Sequence, residues 1–255
     1  MNKKRAYDLP TRIFHWVFAG LFLFSFIVAK AIDDDSSLYS YHMLAGFFMV
    51  FLLVLRVGWG FVGSRYARFS SLKLAPSELR QYFTSVISSK SKRYLGHNPA
   101  SSYAALGMYA FTFGLAITGI LMSKGIGKDF FEEIHELCAT GFIITVILHI
   151  AGVILHHLKH RDGLLFSMVN GVKDDVEGEQ EINSNHPVVA LISVGLIIIF
   201  GLYLNQNYDS NTQKLNLFGT QIELGEDDHK HSEKKERSHN DFQNDEHEDE
   251  HDDVD

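Results

Sequence analysis

The chain has 255 residues, 46% of them hydrophobic, and a formal net charge of −8 at pH 7. Its apolar residues are concentrated in runs of about 20, the length at which a helix crosses a bilayer core of about 30 Å, and this pattern excludes an ordinary water-soluble globular protein. The single cysteine excludes both a disulfide framework and an iron–sulfur cluster held by four cysteines.

Five apolar runs predict five transmembrane helices. The runs lie at about residues 13–32, 39–62, 99–122, 131–158 and 187–204. The first run follows a basic start but shows no small-residue cleavage site, so it is predicted to be a retained helix rather than a removed signal peptide. Before the third run, Asn98 suits the cap of a helix and Pro99 suits its first position.

Lysine and arginine are distributed unevenly between the two sides of the predicted bundle. Residues 3–12, the loop between the second and third helices, and the segment after the fourth helix are rich in these residues, whereas the opposite loops contain only Lys124 and Lys128. Basic loops remain in the cytoplasm. The N-terminus is therefore predicted to be cytoplasmic and the C-terminal tail exported, into the periplasm if the cell has two membranes.

Residues 205–255 differ in composition from the rest of the chain. They are rich in Asp, Glu and His and poor in apolar side chains, so we expect a disordered, acidic, histidine-rich tail. The chain then divides into a four-helix membrane domain at 1–175, a linker and fifth transmembrane helix at 176–204, and the tail at 205–255.

Four histidines lie inside the predicted transmembrane helices, where ionisable side chains are costly and usually functional. They are His15, His42, His135 and His149. The last two are fourteen residues apart in one helix, which places them about 40° apart around its axis and about 21 Å apart along it. One helix thus offers imidazoles at two depths on one face, an arrangement that suits two haems stacked across a membrane. The sequence has no C-x-x-C-H motif for thioether attachment of haem.

The topology assigns the four histidines to two pairs. His42 and His135 both follow outer loops, and we pair them as ligands of an outer haem iron. His15 follows the cytoplasmic start of the chain, and His149 lies toward the cytoplasmic end of its helix. We pair these two as ligands of an inner haem iron.

The two histidines of the inner pair are less well matched in membrane depth than those of the outer pair. His15 lies much closer than His149 to a charged loop residue, unless the fourth helix continues beyond the membrane surface. His156 or His157 is therefore an alternative inner ligand.

Further residues lie on the same helix faces. Arg56 is fourteen residues after His42, at the depth of the inner haem, where its guanidinium could bind a haem propionate or extend to the membrane surface. Gly46 and Gly141 would let a flat macrocycle approach the backbone, although close helix packing is the favoured interpretation for each. His97 is expected to be interfacial and solvated.

Five segments of the chain resemble a known family. They are DLPTRIFHW around His15, YHMLAGFF around His42, RVGWGFVGSRYARF from Arg56, LGHNPASS before the third helix, and HELCATGFIITVILHIAGVILH from His135. Over about residues 6–173 the chain is similar to the bacterial cytochrome b561 and nickel–iron hydrogenase cytochrome b family. The resemblance implies haem b with two histidine ligands, a quinone partner in the inner membrane, a redox partner at the surface, and the same pairing of helices. The fifth helix and the tail lie outside it.

Together these features predict an all-α integral membrane protein: a four-helix bundle holding two haems, with a fifth helix and a tail. We expect electron transfer between quinone or quinol and a periplasmic or membrane-associated redox protein, such as a hydrogenase, a reductase or a multihaem cytochrome c. Bis-histidine ligation leaves no open position on iron, so an electron-transfer subunit is expected rather than an enzyme. The surroundings are membrane lipid, and no nucleic-acid partner is expected.

Two alternatives stay open at this point. The first is a self-contained quinone-linked oxidoreductase that acts on a small acceptor such as superoxide or ferric ion. The second is a metal transporter, which the histidine-rich tail would suit, although the helices lack the intramembrane carboxylates that a cation pathway usually needs.

Overall fold

The computed structural model describes residues 2–33, 36–88 and 92–224. Its helices are α1 (Leu9–Ala31), α2 (Ser40–Val62), α3 (Pro76–Ile87), α4 (Pro99–Ser123), α5 (Lys128–His160), α6 (Ser167–Asn170) and α7 (Pro187–Asn207). Its strands are β1 (Lys3–Arg5), β2 (Val172–Asp174), β3 (Tyr208–Asp209), β4 (Lys214–Leu217) and β5 (Thr220–Glu223). Within these ranges, α1, α2, α4, α5 and α7 are long and apolar enough to cross a membrane. They coincide with the five predicted runs, so the predicted membrane helical bundle is confirmed.

Local capping explains where two of these helices begin. The side chain of Asp8 accepts a hydrogen bond from the backbone amide of Thr11 at 2.9 Å, and this cap starts α1 at Leu9, earlier than its apolar run. The side chain of Asn98 accepts from the amide of Ser101 at 2.8 Å, so α4 begins at the predicted position. A side-chain acceptor at this place satisfies an amide that has no partner within the helix.

Helix α5 is longer than a membrane requires. Its 33 residues extend about 50 Å at 1.5 Å per residue, compared with a hydrocarbon core of about 30 Å. It ends before Arg161, which adopts a left-handed backbone conformation with φ 48°. The helix therefore continues beyond the membrane surface, and the deeper position of His149 follows from this length.

The helices pack in two pairs. Helix α1 lies against α2, α4 lies against α5, and α2 also contacts α4. The fifth transmembrane helix, α7, packs on α1 and α2, where Phe200 stacks on Phe51 with ring centroids 4.2 Å apart. The extra helix is thus attached to the α1–α2 side of the bundle.

Many large apolar side chains of the bundle point outward. Leu137 and Leu148 of α5 are 70% and 66% exposed. Such side chains are normally buried in a water-soluble protein, so this surface is suited to contact lipid.

The outer end of the bundle is covered by residues 208–224, which we name the outer cap. Strands β3, β4 and β5 form an antiparallel sheet in that order, and Leu215, Ile222 and Leu224 bury their side chains against Leu204 of α7. The prediction of disorder is wrong for these residues, because spaced apolar side chains give the sheet one face that can pack. The histidine-rich part of the tail lies outside the described residues.

The opposite end is covered by residues 2–8, 92–97 and 161–186, which we name the inner cap. Strands β1 and β2 pair antiparallel, with Lys4 opposite Lys173. The segment predicted as a linker joins this cap, since the amide of Ile182 donates to the carbonyl of Arg5 at 3.0 Å. The chain therefore returns to its own N-terminus before α7 begins.

Helix α3 was not predicted. It lies in the basic loop between α2 and α4 and contacts α4. Lys159, near the end of α5, donates to the carbonyl of Val86 in α3 at 2.8 Å, so the end of α5 holds this helix at the inner end of the bundle.

Candidate functional site

The imidazoles of His42 and His135 face each other near the outer end of the bundle. Their ring centroids are 6.2 Å apart and their planes are inclined by 73°. An imidazole–metal bond is about 2 Å long and the ring centre lies about 1 Å beyond the nitrogen, so two imidazoles on opposite sides of one metal ion have centroids about 6 Å apart. The spacing of this pair is the one that bis-histidine ligation requires.

The second nitrogen of His42 is occupied by Ser25 of α1. Nδ1 of His42 lies 2.9 Å from the Ser25 hydroxyl oxygen and 3.0 Å from the Ser25 carbonyl oxygen. A carbonyl oxygen only accepts hydrogen bonds, so Nδ1 is the protonated nitrogen and Nε2 keeps its lone pair. A hydrogen bond of this kind fixes the tautomer and the orientation of a metal-binding histidine.

His135 is held in the same tautomer by Thr118 of α4. The Thr118 hydroxyl oxygen lies 2.8 Å from Nδ1 of His135 and donates its one proton within its own helix, to the carbonyl of Gly114 at 2.8 Å. It can therefore only accept from His135, which leaves Nε2 of that ring unprotonated. Sequence reasoning missed Ser25 and Thr118. Each is a hydroxyl residue within an apolar run, but α4 also contains Thr112, so the sequence alone did not distinguish Thr118.

The inner pair is brought together as well. The imidazole of His15 in α1 is close enough to that of His149 in α5 for the two to interact electrostatically. In the part of the chain that the structure describes, neither ring has a hydrogen-bond partner of the kind that Ser25 and Thr118 provide.

The alternative inner ligand His156 has a different partner. Its Nε2 lies 3.0 Å from Oδ2 of Asp162, and the two side chains are only 6% and 1% exposed. Burial raises the pKa of Asp162, but the hydrogen bond and charge of His156 outweigh burial and bring that pKa down to about 2. His156 thus belongs to a buried hydrogen-bonded pair with Asp162 of the inner cap, which favours His149 over His156 as the partner of His15.

A layer of phenylalanines separates the two histidine levels. Phe142 is buried and lies midway in sequence between His135 and His149. Its ring centroid is 4.4 Å from that of Phe22 and 6.3 Å from that of Phe18, both in α1. These rings therefore lie between the two histidine levels of α5.

The two glycines near the histidines have different surroundings. A Cβ atom added at Gly46, one turn after His42, would meet nothing within 4 Å, which leaves room for a flat ring beside the outer pair. A Cβ atom at Gly141 would lie 2.5 Å from the ring of Phe111, so this glycine serves helix packing. Together, the paired imidazoles, the free Nε2 atoms of the outer pair and the space at Gly46 fit a haem.

The guanidinium of Arg56 does not extend away from the protein. It lies 5.9 Å from the ring centroid of Phe69 and 5.7 Å from that of Tyr109, and Nη2 donates to the carbonyl of Ala67 at 3.1 Å. Nη1 is buried and has no hydrogen-bond partner among the described residues.

His97 is not solvated as expected. Its Nδ1 is buried and without a hydrogen-bond partner in the described ranges, and its ring packs edge-on against Tyr7 with centroids 6.0 Å apart. Burial, followed by the charges of Arg56 and Lys173 and by His149, lowers the pKa of His97 to about 4. The ring is held in place from segments that are distant in sequence, which explains why the local sequence did not predict its burial.

The chain is similar to a set of known proteins. A family model described as prokaryotic cytochrome b561 matches residues 6–171. A probable Ni/Fe-hydrogenase B-type cytochrome subunit from Rhizobium leguminosarum bv. viciae is 27% identical over 208 residues, covering 65% of this chain and 87% of the relative. A probable Ni/Fe-hydrogenase 1 B-type cytochrome subunit from Escherichia coli (strain K12) is 24% identical over 218 residues, covering 68% and 92%. A similarly named protein from Cupriavidus necator is 22% identical over 211 residues, covering 66% and 86%. No solved structure matches the chain.

Proposed function

The chain belongs to the prokaryotic cytochrome b561 family, and from this premise we propose that it holds two b haems and carries electrons between the quinone pool and a redox protein at the outer surface of a bacterial inner membrane. Membership of this family makes it a membrane-bound b-type cytochrome, which favours electron transfer over metal transport. The observation that carries the proposal is the pair of facing imidazoles, His42 and His135, each with Nδ1 tied to a hydroxyl group.

We assign the four histidines in two pairs. His42 and His135 bind the outer haem iron, and His15 and His149 bind the inner one, with Arg56 beside a propionate of the inner haem. Haem iron supplies a reversible one-electron couple, and two axial histidines leave no position open for substrate. Ser25 and Thr118 keep the outer imidazoles oriented, so that little rearrangement is needed when the charge on the iron changes.

The two levels suit electron transfer across the membrane. His135 and His149 are fourteen residues apart in α5, about 21 Å along the helix axis. Two carriers at this separation would let an electron cross a hydrocarbon core of about 30 Å in several short transfers instead of one long transfer. Phe142, Phe22 and Phe18 fill the layer between the levels and keep water out of it.

The orientation follows from the basic loops. These segments place the N-terminus and the inner cap in the cytoplasm and the outer cap in the periplasm. We propose that quinone binds near the inner haem, close to His15 and His149, because the outer haem is nearer to the side on which a soluble partner docks. A reporter that is active only outside the cytoplasm should be active when fused after Asp255, and activity of a cytoplasm-only reporter there would contradict this orientation.

The partner is proposed from the relatives. Three of them are named as cytochrome subunits of Ni/Fe-hydrogenases, and we propose that a hydrogenase or a comparable redox protein docks at the outer end of this chain. The outer cap lies beside the outer pair at this end. The hydroxyl oxygen of Tyr208, in the cap, is 2.6 Å from that of Ser40, and Ser40 is two residues before His42. In the alternative, a self-contained oxidoreductase, the chain alone would oxidise quinol with superoxide or ferric ion as acceptor.

The test is quinol-dependent haem reduction in lipid nanodiscs. Wild-type protein should show reduction of both haems by a short-chain quinol. His149→Ala should lose the inner haem and slow the reduction of the outer haem at least tenfold, whereas the matched control His157→Ala should behave as wild type. Unchanged reduction of the outer haem in His149→Ala would contradict the proposed inner quinone site.

A further inference from the structure

Several buried side-chain nitrogens at the inner end of the bundle have no hydrogen-bond partner among the described residues, and two of them are Nη1 of Arg56 and Nδ1 of His97. Nη1 is always a donor, and Nδ1 is one in the tautomer that carries its proton there. Buried polar atoms in folded proteins are nearly always satisfied. Two such atoms in one region indicate an acceptor that is not part of this chain.

One positive charge at this level lacks a partner. Arg56 and Lys173 both act on His97, but Lys173 is offset by Asp162 and Glu179. Among the described residues the guanidinium of Arg56 has no carboxylate partner, and a partly buried charge without one is unfavourable. The missing acceptor is therefore expected to be an anion.

The nearby carboxylates of the chain are already engaged. Asp162 is paired with His156 at 3.0 Å. Glu179 accepts from the backbone amide of Leu95 at 2.8 Å. Neither is in contact with Arg56, so the anion has to come from a bound group.

Both donors are held in fixed positions. The guanidinium of Arg56 lies against Phe69 and Tyr109, whose ring centroids are 5.5 Å apart. Its Nη2 donates to the carbonyl of Ala67, which leaves Nη1 as its free edge. His97 lies between Leu95, which is fully buried, and Asn98, the cap of α4. Fixed donors of this kind suit a carboxylate, which arginine binds with directed hydrogen bonds.

We propose that His97 and Arg56 together bind one propionate of the inner haem, with Nδ1–H of His97 and Nη1–H of Arg56 as the two donors. This inference rests on the proposed function, because it requires the haem on His15 and His149. His97 is near enough to His149 for the two to interact electrostatically, which supports a position of the two donors near that haem. His97, on the loop before α4, would thereby join α4 to a haem that takes no ligand from that helix.

The test combines potentiometric titration with resonance Raman spectroscopy of the propionate bending modes on the purified full chain. In His97→Leu the propionate loses a donor, so its negative charge is less compensated and favours the ferric state. The equilibrium constant for reduction of the inner haem should fall about threefold to tenfold. This lowers its midpoint potential by about 30–60 mV, at 59 mV per tenfold change, and the propionate band should shift. His97→Gln keeps an N–H donor and should stay near wild type. His160→Gln, at the same end of α5, is the matched control and should change neither readout.

Each outcome decides a separate claim. An unchanged inner-haem potential and propionate band in His97→Leu would overturn the proposed contact between His97 and the propionate. An effect confined to the KM for quinol would also overturn it, because it would indicate a quinone contact instead. If His97→Leu does not retain the inner haem, retention in His97→Gln with a near-wild-type potential supports the proposal, and loss in both variants overturns it. A wild-type protein with fewer than two haems would contradict the proposed function rather than the role of His97.

Discussion

Two acceptors fix the tautomer of His135: the hydroxyl of Thr118 and the backbone carbonyl of Leu115. Because the proton of Thr118 goes to the carbonyl of Gly114, its oxygen can only accept from His135, and in the proposed outer haem site this acceptor would increase the electron donation of the imidazole to iron. Thr118→Val removes the hydroxyl acceptor at nearly constant volume and leaves the carbonyl. We predict that the midpoint potential of the outer haem rises by up to about 60 mV, since a net hydrogen bond is worth about 0.5–1.5 kcal/mol and a tenfold change corresponds to 59 mV.

Redox titration measures this shift, and a variant of Ser25 provides the comparison. Ser25→Ala likewise removes a hydroxyl and keeps a backbone carbonyl, which lies 3.0 Å from Nδ1 of His42, so the potential of the outer haem should shift in the same direction as in Thr118→Val. The inner haem should keep its potential in both variants. A downward shift of the outer haem in Thr118→Val, or a shift confined to the inner haem, would contradict the assigned hydrogen bonds.

Depth and spacing in the sequence predicted two histidine pairs, and the structure brings the rings of His42 and His135 together, but the sequence did not indicate the residues that orient them. Hydroxyl residues in membrane helices commonly donate to a carbonyl of their own helix, as Thr112 does to Met108 at 2.7 Å and Thr145 does to Gly141 at 2.8 Å. Only the packing of neighbouring helices distinguishes Thr118, whose second interaction reaches a histidine.

At the scale of elements, the contact between α4 and α5 depends on small residues. A Cβ atom at Gly141 would lie 2.5 Å from the ring of Phe111, whereas one at Gly152 in the same helix would meet nothing within 4 Å. We predict that Gly141→Ala destabilises the protein by about 1–3 kcal/mol, the usual cost of overpacking. Gly152→Ala should be neutral or slightly stabilising, because alanine favours helix over glycine by up to about 1 kcal/mol. Thermal unfolding in detergent measures both, and equal effects would contradict the described packing.

The inner cap should show a pH dependence that originates in Lys173. Its side chain is buried and donates to the carbonyls of Tyr94 and Leu95. Burial, opposed by the charges of Asp162 and Glu179, lowers the pKa of Lys173 to about 8 from its ordinary value of 10.5. Above pH 8 the unfolded chain therefore binds more protons than the folded one, and stability rises with pH.

The useful interval is pH 8 to 10, because burial raises the pKa of Tyr7 above its ordinary value of 10.0 and this tyrosine adds its own pH dependence at higher pH. The midpoint of thermal unfolding should increase from pH 8 to 10 in the wild type. In Lys173→Met the increase should disappear. An equal increase in the variant would assign the effect to another group.

The elements themselves were predictable to different degrees. A run of about 20 apolar residues identifies a transmembrane helix wherever its neighbours lie, and all five were found. The pairing of β1 with β2 joins the N-terminus to residues 172–174, and strands this short have no local pattern to reveal them. The bounds of α5 were also predicted closely, but its extension beyond the membrane was needed to explain the depth of His149.

For the whole molecule, the outer cap is expected to contribute to stability. Residues 208–224 bury Leu215, Ile222 and Leu224, and a fully buried side chain of this size contributes about 1.5–3 kcal/mol. Deleting residues 225–255 should leave thermal stability and haem content unchanged. Deleting residues 208–255 should lower stability by several kcal/mol while both haems stay bound, because their proposed ligands lie in α1, α2 and α5. A similar loss of stability in the two deletions would contradict this expectation.

The average composition of the tail did not indicate the strands of the outer cap. Averaged over residues 205–255, acidic and polar residues dominate, and only the first part contains apolar side chains at a spacing that gives a strand one buried face. Its packing surface is formed by α2 and α7, which lie far away in sequence. The whole fold therefore combines a bundle that local hydrophobicity encodes with two caps that depend on long-range contacts.

The central claim is two bis-histidine haems on one chain, and haem quantification on defined variants tests it most directly. Pyridine haemochrome assay and redox titration of the wild type should give two b haems per chain, both low-spin, because each iron has two imidazole ligands. His135→Ala should lose the outer haem and keep the inner one, and His149→Ala should do the reverse. One haem per wild-type chain, or a high-spin spectrum in the wild type, would contradict the account.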